Sequence, residues 1–325
     1  MVADALISAD ANLQSTEVVR DTISLQTFVD QPVSSWPNSL LWSGDSLDFL
    51  THLPEKPIFD LIVSSPPYNL NKPYERGKAL IEYQIQQEEV IEQLVLRLKP
   101  SGSLCWQVGN YVNPAIPSGQ RTSIYPLDFL FHPMFERRGL LLRNRIIWRF
   151  GHGLHCKHRF SGRYETVLWY TRGDKYKFNL DPVRIPSKYP GKRFYKGPKV
   201  GQFSGNPLGK NPEDVWDDVW NIPNVKSNHA EKTKHPCQFP VGLIERLVLA
   251  LTEPGDLVFD PYAGVASSGV ASIIHARRFW GCENVSEYVE LGRKRLDEAV
   301  VGNAKYRPHD REIYDHMQSP LAHRT

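Results

Sequence analysis

An open α/β sheet carrying a basic, loop-rich insert is the architecture that this 325-residue sequence predicts. Three observations lead there. Short apolar runs alternate with helical stripes along both ends of the chain. Two of those runs stop abruptly, at Ser64-Ser65-Pro66-Pro67-Tyr68 and at Asp260-Pro261-Tyr262-Ala263-Gly264. Between them, residues 184–210 hold seven basic residues and no acidic one, with four prolines and five glycines.

The elements follow in order. Gly44-Asp45-Ser46 is a turn and Leu47 to Leu53 a short helix. Phe59 to Val63 is a buried strand, ended by two prolines that cannot continue a ladder. Val90, Ile91, Leu94, Val95 and Leu98 recur at helical spacing until Pro100-Ser101-Gly102. Leu104 to Val108, Arg145 to Phe150 and Thr166 to Tyr170 read as strands, with Trp148 and Trp169 inside the last two. After the insert and the acidic segment Glu213 to Asp218, the pattern returns. Leu243, Ile244, Leu247, Val248 and Leu251 form a helical stripe. Leu257 to Phe259 is a strand, Ser267 to His275 a helix, Arg278 to Cys282 a strand and Ser286 to Val301 a last helix. The expected organisation is a loose extension over 1–38, one domain over 39–302 interrupted by an insert over 174–232, and a tail over 303–325.

Composition bounds the function. With 41% hydrophobic and 23% charged residues the chain can bury a core. No apolar run reaches 18 residues, which excludes a membrane-spanning helix. The start lacks a basic segment followed by an apolar block, so no secretory signal is expected. Four cysteines without CxxC spacing argue against a disulfide framework or a Cys-rich zinc site and fit a reducing cytoplasm. The net charge of +3 names no partner, whereas the clustering of charge in the insert does.

The turn from Asp260 to Gly269 joins a strand to a helix with small residues, letting a ligand approach the backbone. Glu283 ends the next strand, where an acid can accept from ribose hydroxyls. Position 266 is Ala, so the GxGxxG phosphate fingerprint is absent, and Asp260 would repel a pyrophosphate. These features favour a ligand without phosphates, such as S-adenosylmethionine, over NAD. The Ser65-Pro66-Pro67-Tyr68 turn offers carbonyls that no proline N–H competes with, a serine oxygen and a flat ring. Such a set suits the exocyclic amine of a base. Accepting its N–H bonds draws the nitrogen toward tetrahedral geometry and frees its lone pair for a sulfonium methyl.

Together the two turns resemble the DNA amino-methyltransferases. In that family an Asp/Asn/Ser-Pro-Pro-Tyr tetrad is catalytic and the strand–Gly turn holds S-adenosylmethionine. Here the tetrad precedes the cofactor turn, the permuted order of the β class. Gly44-Asp45 is similar to the family's adenine-contacting turn, and His235-Pro236-Cys237-Gln238-Phe239-Pro240 to its His-Pro-x-Gln-x-Pro box, which closes over the methionine end of the cofactor. Arg145 to Trp148 and Arg159 to Thr166 are similar to its target-base segment. The resemblance therefore implies a Rossmann-like S-adenosylmethionine-dependent methyltransferase sheet. It implies Ser65, Pro66, Pro67 and Tyr68 as catalytic residues, and Asp45, His235, Gln238, Asp260, Tyr262, Ala263, Gly264 and Glu283 as the cofactor site. Departures are Tyr262-Ala263-Gly264-Val265-Ala266 where Phe-x-Gly-x-Gly is usual, and Phe239 where Lys is common. A first-position Ser is associated in the family with the cytosine amine, and Asp with adenine.

Pro236-Cys237-Gln238 and Glu283-Asn284-Val285 also resemble motifs of the cytosine carbon-5 methyltransferases, but there the cofactor turn precedes both. Cys237 is therefore expected to be a packed neighbour of the cofactor. A base in a duplex must be flipped to expose its amine. Tyr68 is the stacking candidate, and Trp148 reads as core. Lys188, Lys192, Arg193, Lys196 and Lys199 are the expected phosphate contacts. His152, His155 and His158 recur every third residue, yet no carboxylate stands beside them, so surface or DNA-facing histidines and no metal are expected. The resulting expectation is methylation of the cytosine amine in specific duplex DNA, beside a possible cognate restriction endonuclease and without a membrane. The rivals are the adenine amine, an NAD-dependent oxidoreductase and a non-catalytic DNA-binding module.

Overall fold

The computed structural model describes residues 37–69, 79–113, 123–151, 153, 155–226 and 229–308. Most of the expected N-terminal extension and the tail beyond 308 lie outside them. One eight-stranded sheet organises the rest. Its strands are β1 (Ser39–Ser43), β2 (Phe59–Ser64), β3 (Leu98–Val108), β6 (Leu141–Arg149), β7 (Tyr164–Thr171), β8 (Val215–Trp216), β9 (Leu257–Asp260) and β10 (Arg278–Glu283). They lie in the order β1-β10-β9-β2-β3-β7-β6-β8. All neighbours run parallel except β7, which is antiparallel to both β3 and β6. A separate antiparallel pair, β4 (Asn110–Asn113) and β5 (Ser123–Pro126), follows β3.

Helices cover both faces, as parallel strands buried on two sides require. On one face α1 (Ser46–His52), α2 (Leu80–Arg97) and α3 (Leu127–Glu136) bury Phe49, Tyr83, Ile91, Leu94, Phe131 and Phe135 against the sheet. There Phe59 stacks on Phe259 at 4.4 Å. On the other face α4 (Val241–Leu251) and α5 (Ser267–Ile273) cover β2 and β9, and α6 (Ser286–Val300) packs Leu296 and Val289 on β1 and β10. Close packing there depends on Gly269, where a methyl group would lie 2.5 Å from Leu296 and 2.6 Å from Phe279.

Most expected strands and helices lie within a few residues of their predicted ends, but α2 begins at Leu80, well before the stripe that starts at Val90, and β3 begins at Leu98, not Leu104. Leu98 is buried as its stripe position requires, but it opens β3 opposite Phe59 instead of closing α2. Pro100 disfavours helical backbone at Lys99, so the helix stops at Arg97. Helix α3 carries Pro133 in its interior, which hides it from a pattern reading. Its buried face of Leu127, Phe131, Met134 and Phe135 outweighs the lost backbone bond. The chain after α6 is not wholly loose: Arg307 donates its N–H to Glu231 at 3.0 Å and a guanidinium N–H to the Asn221 carbonyl at 2.5 Å.

The insert is anchored at its acidic end. Trp216 enters β8 beside Trp148 of β6, and the Trp148 indole donates to the Ile222 carbonyl at 2.8 Å. Arg246 of α4 lies over Trp216 and Trp220, 4.5 and 5.2 Å from the ring centroids, and donates twice to Asp218. This guanidinium is buried, and removing one partner of such a pair strands the other. Arg246→Ala is expected to cost about 3–5 kcal/mol, read as a lowered denaturant midpoint, with Trp216 and Trp220 fluorescence reporting local release.

Candidate active site

The two sequence-marked turns hang from the carboxyl ends of adjacent strands, β2 and β9. This is where open α/β sheets bind ligands. They are tied through Asp260, whose buried carboxylate accepts from Ser64 Oγ at 2.5 Å, Ser268 Oγ at 2.5 Å and the Tyr262 amide at 3.0 Å. Burial pushes this carboxyl up to about 6, against the lowering pull of those three donors. Asp260 thus spends its oxygens on the protein and is not among the residues facing the cavity.

That cavity, of about 890 Å³, lies between the turns and is large enough for a nucleoside-sized cofactor and a base. At its cofactor side, Gly264 adopts φ of +54°, a left-handed conformation that favours glycine. A methyl group there would stand 3.3 Å from His235 Nε2. Ala266, also left-handed, caps α5 and is fully buried, so the missing glycine of the usual turn is replaced by a small strained residue. Asp45 caps α1 through the amides of Leu47 and Asp48 at 2.8 and 3.3 Å, and it lines the cavity. Glu283, at the end of β10, accepts from the Val285 amide at 2.8 Å. Burial raises its pKa despite the backbone amides of Val285, Gly264 and Asn284 around it.

The His-Pro box arches over this side. Burial, with Lys232 and Arg295 nearby, pulls the His235 pKa down to about 4, so its ring is neutral near pH 7. The Cys237 amide donates to Nδ1 at 3.3 Å, and Tyr288 packs edge-on at 4.6 Å. A neutral ring suits a cationic sulfonium better than an imidazolium would. Gln238 lines the cavity, yet its amide is engaged within the box, donating to the Glu231 carbonyl and accepting from Thr233. Tyr262 and Ala263 also line it, and the Tyr262 hydroxyl accepts from Gln87 at 3.1 Å. Cys237 lines the cavity from an exposed position.

At the other side stand Ser65, Pro66, Pro67 and Tyr68. Ser65 Oγ and the Tyr68 hydroxyl are 3.3 Å apart. The expectation of two free proline carbonyls is corrected at Pro67, whose carbonyl accepts from the Tyr83 hydroxyl at 2.8 Å. Trp148, expected as core, is buried and also reaches the cavity floor. Several lining residues escaped the sequence reading as individuals: Tyr83, Gln87, Gln107 and Asn224. None belongs to a motif, and only the fold brings them here.

Residues 188–208 of the insert are all exposed. Lys192 to Ser204 forms a hairpin-like turn, with Ser204 N–H donating to Lys192 at 2.8 Å and Arg193 stacked over Phe203 at 4.1 Å. Among the described residues, Lys188, Lys192, Arg193, Lys196 and Lys199 form no ion pair with an acid. His155 and His158 are exposed, and His152 lies outside the described residues. Among those described, no three His, Cys, Asp or Glu residues are grouped to hold a metal, and no helix is long and apolar enough to cross a membrane.

Known proteins place the chain in a family. A family model described as DNA methylase matches residues 59–294. The chain is 47% identical over 266 residues to the type II methyltransferase M.BglII of Bacillus subtilis, covering 81% of this chain and 71% of that one. It is 31% identical to the DNA adenine methyltransferase YhdJ of Escherichia coli, covering 79% and 82%. Among solved structures, a DNA modification methylase of Thermus thermophilus complexed with S-adenosyl-L-methionine superposes with a TM-score of 0.56 at 25% identity, covering 81% and 94%.

The raised Asp260 carboxyl has a consequence for stability. The folded protein holds a proton there that the unfolded chain, near 3.8, releases, so Asp260 favours the folded state at low pH. That contribution is lost as pH rises from about 4 through 6. Asp260→Asn is expected to flatten this dependence by roughly 2–3 kcal/mol, measured as denaturant midpoints of both proteins between pH 4 and 7.

Proposed function

The chain belongs to the DNA methylase family that modifies base amines, and from that premise we propose that it methylates the cytosine amine of a specific duplex DNA site. It is an S-adenosylmethionine-dependent DNA amino-methyltransferase. The cofactor supplies a methyl group on a sulfonium. Asp45 and Glu283 suit its polar nucleoside end, Gly264 gives the backbone close approach, and neutral His235 faces its methionine end without adding charge. In this reading Ser65 Oγ and the Pro66 carbonyl accept the amine's two N–H bonds, and Tyr68 stacks on the ring. The observation that carries the reading is the tie through Asp260, which sets this acceptor pair beside the cofactor turn.

Cytosine is favoured because the tetrad begins with Ser65. The adenine amine is the second reading, supported by the likeness to an adenine methyltransferase. Digesting DNA methylated by the protein to nucleosides should give N4-methylcytosine by mass; N6-methyladenine would overturn the choice of base. Ser65→Ala and Tyr68→Ala should each slow methyl transfer about a hundredfold while S-adenosylhomocysteine still binds.

The exposed basic turn of the insert is proposed to contact phosphates, leaving the flipped base to the cavity. A cytoplasmic location and a cognate restriction endonuclease for the same site complete the proposal. Alanine at Lys188, Lys192, Lys196 and Lys199 should weaken DNA binding and reduce its salt dependence, by roughly one unit of slope per lost phosphate contact. Unchanged affinity and slope would remove the insert from the interface.

A further inference from the structure

Glu165 lines the cavity together with Tyr68; it lies in the segment likened to a target-base region and has no assigned role in the proposed function. Glu165 is the second residue of β7, opposite Trp148 of β6. Its Oε2 accepts from the buried Gln107 amide of β3. A methyl group at Gly109 would lie 3.1 Å from the Tyr68 ring and 3.3 Å from Glu165 Oε1, so the ring edge and this oxygen face one another across a glycine. Among the described residues, Oε1 takes no hydrogen bond. No cation pairs with the carboxyl either, and burial pushes it up to about 7. It borders the same cavity as the Tyr68 ring, within reach of a base that enters there.

Cytosine and adenine share one feature beyond the amine. The ring nitrogen next to the amine-bearing carbon carries a lone pair and no hydrogen. Thymine and guanine carry an N–H on the corresponding Watson–Crick edge. A neutral carboxyl donates one O–H and so matches the first pair, while its hydrogen opposes that of the second. Entry of a base expels water and disfavours the carboxylate further. The ring nitrogen is a much weaker base than such a carboxylate, so the proton stays on oxygen and the amine keeps its nucleophilicity.

We propose that Glu165, held by Gln107, recognises the flipped base by donating its carboxyl O–H to the ring nitrogen adjacent to the amine-bearing carbon. This rests on the amino-methyltransferase reading and adds a specificity residue to it.

The test uses the full chain on a duplex carrying the methylated site, once that site is mapped by the nucleoside and sequencing assay. Single-turnover methylation is compared on cytosine and on 3-deazacytosine, in which C–H replaces the ring nitrogen (1-deazaadenine if adenine is the target). The analogue also alters the amine, so the ratio between proteins is what decides. Glu165→Ala should lose about tenfold on the natural base and be about tenfold less sensitive than wild type to the analogue. Glu165→Gln, which keeps an N–H donor, should stay within about threefold of wild type on the natural base and keep its sensitivity. Losses from Glu165→Ala and the analogue that simply multiply, or a Gln variant as impaired as the Ala variant, would overturn the proposal. Should Glu165→Ala fail to bind S-adenosylhomocysteine, the Gln variant decides in the same two ways. Wild type that labels no DNA would instead refute the parent reading.

Discussion

Two loops far apart in sequence can share one site only if their strand ends are held at a fixed offset. Here that offset is set by a carboxylate with three donors. Asp260 takes hydrogen bonds from Ser64 at the end of β2, from Ser268 in α5 and from the Tyr262 amide within its own turn. An ionised group so deeply buried is tolerated only when its lone pairs are satisfied. Each donor therefore becomes a geometric requirement. The residue that resembled a cofactor ligand is better understood as the joint between two ligand-binding turns.

The His-Pro box is held by a second acid of the same kind. Glu231 is buried, accepts from the Val241 amide at the start of α4 and from Arg307, and offers its carbonyl to Gln238. Val241 leads α4, and Arg246 of the same helix clamps the acidic end of the insert. A single helix thus connects the arch over the cofactor side to the segment that carries the basic turn. Asn224 and Lys226, at the end of that segment, line the cavity. The end of the insert accordingly shapes the site as directly as the motifs do.

Much of this was legible in the sequence, for physical reasons. Strands buried on both faces, such as Phe59–Ser64, are mostly apolar, and the prolines after Ser65 mark where this one ends. Helix α3 was not legible, because Pro133 obeys local rules while the buried face answers to tertiary packing. The tetrad and the cofactor turn were visible as motifs, but their separation in space depends on the pairing of β2 with β9, which no local pattern encodes. Glu165 lay inside a segment likened to a target-base region, yet its contact with Gln107 and Gly109 exists only once β3 and β7 pair. The roles of Gln238 and Pro67 shifted for the same cause: folding gave their polar atoms internal partners.

The capture of the Pro67 carbonyl by Tyr83 has a consequence for how far the reaction can run. With that oxygen already accepting from Tyr83, the proposed reading assigns the two hydrogens of an unmodified amine to Ser65 and Pro66. A nitrogen that has gained one methyl has a single hydrogen left and a bulkier outline. One acceptor would then lose its partner, which penalises rebinding. Under the proposed reading, a singly methylated amine no longer completes the corner that selected the substrate.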